Sequence, residues 1–422
     1  MCAKVSAFMS SKFELPPLPP PRPLRPVPTL SGFCDPKFEK LEQEFVRNFV
    51  ERGDIGAAVA VCQDGELVVD LWAGYRDQRQ QLPWRENTLV PVWSIGKGVT
   101  AIALLRQIDQ GLISLEDPVS DHWPEFAQSG KDSVTIRMLL AHRAGLPAVD
   151  RVLPKSSQLL DWDLMCSALA AQKPWWEPDK GHGYHTNTIG FLLGEVVRRV
   201  TNHRVREVIT SEIAAPLDAE FLVGTRKKDD YRTADWIPYR PLEGEVVPER
   251  HPWKKIKLKD ATHLQRMSIR TYGNPKVYKE HSTGSRVWRG AEFPSTNPHS
   301  NARSVALIFG ALANGGYGSN GYKLLSPELI EAARNIESDG EDLVLGRPTR
   351  FGLGFQLAIP GIRPLGPNPR AFGHYGNGGH IGIADPEAGV SLAYTCNQSG
   401  RSWRDPRNIA LVDALFGSVY QK

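Results

Sequence analysis

Strand-forming runs stand near both ends of this 422-residue chain, and helix-forming runs fill its middle. Ala57–Cys62 and Leu67–Ala73 read as strands, and Gln63-Asp64-Gly65-Glu66 between them carries an Asp-Gly hairpin signal. Far downstream, Phe351–Leu357 forms one apolar run. Ile381–Ala384 and Val390–Cys396 form another hairpin around Asp385-Pro386-Glu387-Ala388-Gly389. An isolated hairpin is at best marginally stable, so such pairs need further strands or helices to cover them. The spacing of apolar residues predicts helices over Pro36–Glu51 (Phe38, Leu41, Phe45 and Phe49 on one face), Ser94–Gln110, Thr135–His142, Asp161–Gln172, Ile189–Val200, Ala302–Ala313, from Pro327, and over Asn408–Tyr420. The expected fold is mixed α/β (α+β): one sheet built from both ends of the sequence, with a helical lobe inserted. The expected domains are a proline-rich arm over 1–30 and one domain over 31–422. Its α/β lobe spans about 31–100 and 300–422, and its helical lobe about 101–299.

Composition narrows the function classes. A net charge of +4 does not argue for nucleic acid. Five scattered cysteines (Cys2, Cys34, Cys62, Cys166, Cys396) lack metal-site spacing and fit a reducing, cytoplasmic compartment. No apolar run reaches membrane-spanning length, and the N-terminus lacks the apolar core of a secretory signal. Leu15-Pro16-Pro17-Leu18-Pro19-Pro20-Pro21-Arg22-Pro23 favours polyproline II, as a lead-in arm or a ligand for an SH3-type module. Basic residues gather at Lys254, Lys255, Lys257, Lys259, Arg266 and Arg270, where the pattern suggests a solvated edge strand or loop. The surrounding stretch, Arg226 to Phe293, is expected to form part of a cleft rim.

Three short segments carry chemistry. The first is Trp93-Ser94-Ile95-Gly96-Lys97, which opens a helix with Ile95, Val99, Ile102, Leu105 and Ile108 on its buried face and Gly111 at its end. Ser94 and Lys97 lie one turn apart on one side. They could be a capping serine and a surface lysine, or a nucleophile and its activator. The second is Gly181-His182-Gly183-Tyr184-His185-Thr186-Asn187-Thr188, just before a helix. There Tyr184 could pack and cap, or point into a cleft. The two histidines lack a third metal ligand at a sensible spacing. The third is Phe372-Gly373-His374-Tyr375-Gly376-Asn377-Gly378-Gly379-His380, a plain glycine-rich turn or a place where backbone approaches a ligand. Neither G-x-S-x-G, H-E-x-x-H nor a P-loop motif is present.

Taken in order, these segments resemble the serine β-lactamase-like family: class C β-lactamases, DD-peptidases and family VIII carboxylesterases. Ser94 and Lys97 match its Ser-x-x-Lys, Tyr184 its second motif with Thr186 in third place, and His374-Tyr375-Gly376 its third motif. Leu139-Leu140-Ala141-His142-Arg143-Ala144-Gly145-Leu146 is similar to a further family segment, and the likeness spans about residues 35 to 420. The resemblance implies a β-lactamase/transpeptidase-like fold with an antiparallel sheet and no cofactor or metal. It implies an acyl-enzyme on Ser94, with Lys97 and Tyr184 sharing proton transfer. The backbone N–H groups of Ser94 and Asn377 would form the oxyanion hole, and Thr186, His374, Tyr375 and Gly376 would contact substrate. Thr186 replaces the family's asparagine, and His374 replaces a lysine suited to substrate carboxylates. Both departures favour a serine carboxylesterase acting on short or medium small-molecule acyl esters over a β-lactamase. An acyltransferase or a non-catalytic penicillin-recognition protein would use the same scaffold.

Overall fold

The fold is described from a computed structural model covering residues 27–239, 258–275 and 282–420. Most of the proline-rich arm, and Lys254, Lys255 and Lys257 of the basic stretch, lie outside those residues.

Twelve strands are found among the described residues: β1 (Leu30–Cys34), β2 (Gly56–Gln63), β3 (Glu66–Gly74), β4 (Val90–Pro91), β5 (Phe221–Leu222), β6 (His299–Ser300), β7 (Ser338–Glu341), β8 (Pro348–Phe351), β9 (Gln356–Leu357), β10 (Phe372–Tyr375), β11 (Ile381–Asp385) and β12 (Val390–Cys396). Nine make one antiparallel sheet in the order β1-β3-β2-β12-β11-β10-β9-β8-β7, and β4-β6-β5 make a small second one. The two ends of the sequence meet at β2 and β12, where Ala57 pairs with Cys396 and Gln63 with Val390. Asp64 and Gly65 both have positive φ (51° and 86°), the backbone that a tight Asp-Gly hairpin requires.

The main helices are α1 (Glu39–Val50), α2 (Ile95–Asp109), α3 (Trp162–Ala171), α4 (Ile189–Thr201), α5 (His263–Gly273), α6 (Ala302–Ala313), α7 (Pro327–Ala333) and α8 (Pro406–Val419). Alternation along β2 divides the core in two. Ala57, Val59 and Val61 face α1 and α8, while Ala58, Ala60 and Cys62 face α2, α4 and α6. None of these helices is long and apolar enough to cross a membrane. Cys34, Cys62, Cys166 and Cys396 are free thiols.

An edge strand, β1, begins at Leu30, the last residue of the expected arm. Three expectations are corrected. The single run over Phe351–Leu357 is broken into β8 and β9 by a turn, in which Gly354 takes φ +84°. The basic stretch continues into helix α5, capped by Thr262 and Gln265, so Arg266 and Arg270 lie on a helix rather than an edge strand. Finally, α2 is not a helix with one buried face. It is buried nearly all round, from Ile95 to Leu105 without interruption. A helix enclosed in this way is a core element, and polar side chains on it lie inside the protein.

Candidate active site

Ser94 is the N-cap of α2, yet its side chain makes no capping bond. Its φ and ψ (−70°, −5°) are already helical, which removes the extended geometry that a capping serine uses. The bend falls instead on Trp93, at φ +54°, a left-handed conformation costing on the order of 1 kcal/mol or more for a non-glycine residue. Ser94 Oγ lies 2.9 Å from Lys97 Nζ, which also donates to the Ser295 carbonyl at 2.7 Å. Gly96 makes that second bond possible. A Cβ there would come within 2.2 Å of the Pro294 carbonyl, so a side chain would push the 294–298 segment off the first turn of α2. Lys97 is 1% exposed, and burial pushes its pKa well below the ordinary lysine value, with no carboxylate beside it to restore the charge.

Tyr184 stands over this pair. Lys97 Nζ lies 5.0 Å from the centre of its ring, which stacks on Phe351 at 5.9 Å. Burial drives the Tyr184 pKa up, against the opposing pull of its side-chain interaction with Ser94. The loop is fixed through its backbone: Tyr184 N donates to both carboxylate oxygens of Asp342 at 3.0 and 3.1 Å. His142, at φ +59°, accepts from Gly183 N through its carbonyl and from His185 N through Nδ1. Both ring nitrogens of His185 are taken by backbone, the Gly183 carbonyl and the Leu146 N–H. Thr186 Oγ1 reaches the Tyr272 hydroxyl at 3.2 Å, whereas Asn187 is tied to Thr271 O, Thr296 Oγ1 and Ser295 Oγ. Thr186 therefore faces the Arg226–Phe293 stretch through α5, and the Asn187 side chain is bound into the frame.

The third segment comes up on β10. A Cβ at Gly376 would lie 2.7 Å from the Val92 carbonyl, so glycine allows this turn to approach the strand that delivers Ser94. Among the described residues, the backbone N–H groups of Ser94 and Asn377 have no acceptor. The turn is braced from behind: Arg407 Nη2 donates to Gly378 O at 3.0 Å and Asn408 Nδ2 to Gly379 O at 2.8 Å. Arg407 also binds Asp405 (2.7 Å) and Asp54 (2.5 Å), and Tyr394 donates to Asp54 at 2.6 Å.

His374 and Tyr375 part company, because consecutive strand residues point to opposite faces. His374 faces the Tyr184 side, with 6.0 Å between ring centres, but it is 1% exposed, below the cleft surface. Its Nδ1 donates to Tyr375 O, and among the described residues its Nε2 has no partner. Burial above all lowers its pKa well below the ordinary histidine value. Tyr375 points the other way, donates to Pro364 O and packs on Trp403. The expectation that the Tyr375 side chain contacts substrate is therefore corrected.

On one flank of Ser94, Trp93 packs against Trp236 (4.9 Å) and Trp288 (5.7 Å). Sequence reasoning missed Ser295, Asp342, Arg407 and Asn408, since each acts across at least 29 residues of chain. The Gly-Gly pair at 378–379 was the available signal that something must come close there.

A family model described as Beta-lactamase matches residues 38–415. The esterase/beta-lactamase LipL of Mycobacterium tuberculosis (strain ATCC 25618 / H37Rv) is 34% identical over 371 residues, covering 87% of this chain and 82% of that protein. A family VIII carboxylesterase crystal structure superposes with a TM-score of 0.83 at 33% identity, covering 92% of this chain and 100% of the other. A penicillin-binding protein homologue from Caulobacter crescentus gives 0.82 at 34%, with the same coverage. Sheet order, motif order and these likenesses agree: the chain belongs to the beta-lactamase family and has its β-lactamase/transpeptidase-like fold.

Proposed function

We propose that this protein is a serine carboxylesterase that cleaves small acyl esters through an acyl-enzyme on Ser94. The observation that carries the proposal is the Lys97 amine, buried without a carboxylate partner and 2.9 Å from Ser94 Oγ. Burial shifts such an amine towards its neutral form, whose lone pair can take the serine proton. Ser94 Oγ attacks the ester carbonyl as its proton passes to Lys97 Nζ. The oxyanion forms against the backbone N–H groups of Ser94 and Asn377, with the N-terminal end of α2 adding partial positive charge. The C–O bond to the alcohol breaks, and the departing oxygen takes a proton from the Tyr184 phenol. Lys97 returns its proton to Tyr184. Water then attacks the acyl-enzyme, giving a proton to Lys97, and Ser94 leaves with it.

Burial supports this division of labour. It moves Lys97 towards the base form and Tyr184 towards the acid form. Neutral His374 and Thr186 replace the cation and the amide that the wider family uses, which favours an ester over a lactam. Hydrolysis of 4-nitrophenyl butyrate by wild type and Ser94→Ala tests the proposal. Loss of turnover, together with a fluorophosphonate adduct mapped to Ser94 in wild type, is expected; retained activity in the variant overturns it. Nitrocefin in the same panel measures any β-lactam hydrolysis, a reading favoured by the likeness to LipL.

A further inference from the structure

Residues 233–238 form neither a helix nor a named strand, yet they are stitched on both sides. On one side Leu89 N donates to Arg232 O at 2.9 Å and Ala234 N to Leu89 O at 2.7 Å, just ahead of β4, which leads to Ser94. On the other, Ile237 N donates to Asn397 O at 2.9 Å and Ser399 N to Ile237 O at 2.8 Å, beyond the end of β12. Gly400 N then donates to Gly378 O at 2.8 Å, which leads back to the turn bearing Asn377. The segment is a backbone bridge between the two stretches of chain that carry the proposed oxyanion donors.

Its aromatic side chain, Trp236, lies along the same line. The half-buried Trp236 ring meets Trp93, the residue before Ser94, edge-on, with 4.9 Å between centres. It stacks on His380, at the far end of the turn, at 5.7 Å. His380 is fully buried with both ring nitrogens unpartnered among the described residues, so it meets the indole as a ring face and not through a hydrogen bond. The outer edge of the indole closes on Gly378, where a Cβ would lie 2.4 Å from Trp236 Cη2 and 3.1 Å from Cζ2. Gly378 follows Asn377 and Trp93 precedes Ser94, so one indole touches a neighbour of each donor.

Trp93 needs such support. Its left-handed backbone, at φ +54°, is unfavourable for a bulky residue and persists only where packing holds it. Trp288 backs it from another side at 5.7 Å, and is itself 4% exposed and held through its carbonyl by Asn297 Nδ2 at 2.6 Å. The Arg407 and Asn408 bonds fix the turn from behind, whereas Trp236 spans from the turn to Trp93. An oxyanion hole works only while its donors keep their spacing, because the developing charge must meet both at once.

We propose that Trp236 is a positioning residue that sets the separation between the backbone N–H groups of Ser94 and Asn377. This rests on the Ser94 acyl-enzyme reading and gives the 226–293 stretch a part in the site.

The test measures kcat and KM for 4-nitrophenyl butyrate, and the rate at which a fluorophosphonate modifies Ser94, in wild type, Trp236→Ala and Trp236→Phe, with thermal melts as folding controls. In Trp236→Ala, kcat should fall roughly 10- to 100-fold with KM changed less than about threefold. Phosphonylation should slow by a similar factor, and the acid limb of the pH profile should stay in place because Lys97 is untouched. Trp236→Phe, whose shorter ring draws back from Gly378 while keeping a face for Trp93, should fall between, and it carries the same readings if Trp236→Ala does not fold. Unchanged kcat and phosphonylation overturn the proposal. So does a loss carried by KM alone, which would make Trp236 a substrate contact, or a shifted acid limb, which would mean that the site has collapsed around Lys97. If wild type takes the fluorophosphonate but cleaves no ester, the ester-hydrolase reading falls alone, and the phosphonylation rates still decide the role of Trp236.

Discussion

Two buried polar clusters lie on either side of the turn at residues 376–379, and they are built on opposite rules. Around Arg407 the guanidinium reaches Asp405, Asp54, Gln398 O and Gly378 O, and Tyr394 completes Asp54. Burial works against the Arg407 charge, but Asp405 and its other neighbours outweigh it and hold the group fully protonated. Around Lys97 there is one serine oxygen, one carbonyl and an aromatic face, with no acid. Saturation makes the first cluster a brace. In the proposed mechanism deprivation makes the second reactive, since an amine denied a counter-charge is shifted towards the form that has a lone pair. Both are equally hidden from water, so burial alone does not tell a functional cluster from a structural one; the bond inventory does.

The contrast can be broken at several points. Lys97→Met should lower kcat about 10²- to 10⁴-fold, the usual range for a lost proton-transfer group, while raising the melting temperature. The sign follows from the lowered pKa. The folded state binds fewer protons than the unfolded one below about pH 10.4, so the wild-type fold gives up stability as pH falls from there towards the pKa of Lys97 in the fold. The stability gain of Lys97→Met should therefore shrink as pH is raised towards about 10.4. In wild type, kcat/KM should decline on the acid side as Lys97 takes up its proton. A variant that melts lower than wild type at pH 7 would show that Lys97 is a structural residue.

Arg407→Met should do the reverse. Leaving Asp54 and Asp405 without their cation is expected to cost about 3–5 kcal/mol, read by urea unfolding, and to loosen the turn bearing Asn377. Wild-type stability in this variant would erase the distinction between the clusters. Tyr394→Phe removes one donor to Asp54 and should cost about 1.5–3 kcal/mol, with the catalytic pH profile unmoved. A shifted acid limb there would mean that the two clusters are electrically one.

The chain shows some of this design on its face and hides the rest for physical reasons. Periodicity located α2, α4, α6 and the β2–β3 hairpin because each is decided by local pattern. The Ser94–Lys97 pair was visible because helical spacing alone brings the two residues together. Local pattern could not reveal that α2 is enclosed on all sides, nor that this burial lowers the Lys97 pKa. That depends on α4, α6 and the 294–298 segment, each far away in the chain. The Asp54–Arg407 bond spans 353 residues, and nothing near either residue announces it. Tyr375 was misjudged because a motif read as a string does not say where β10 begins, and a shift of one residue changes the face a side chain points to. Helix α5 was missed because its mean composition is polar and its Thr262–Gln265 cap is short.

The pairing of β2 with β12, and the hold of Arg407 on Gly378, also put a clock on the molecule. A ribosome finishes Ser94, Lys97 and Tyr184 long before it makes the partners that aim them. Until residues 372–408 have emerged, the turn bearing Asn377 lacks its braces, and under the proposed mechanism the oxyanion would have one donor instead of two. Under that mechanism a nascent chain carrying Ser94, Lys97 and Tyr184 would be chemically silent until β12 and α8 are in place.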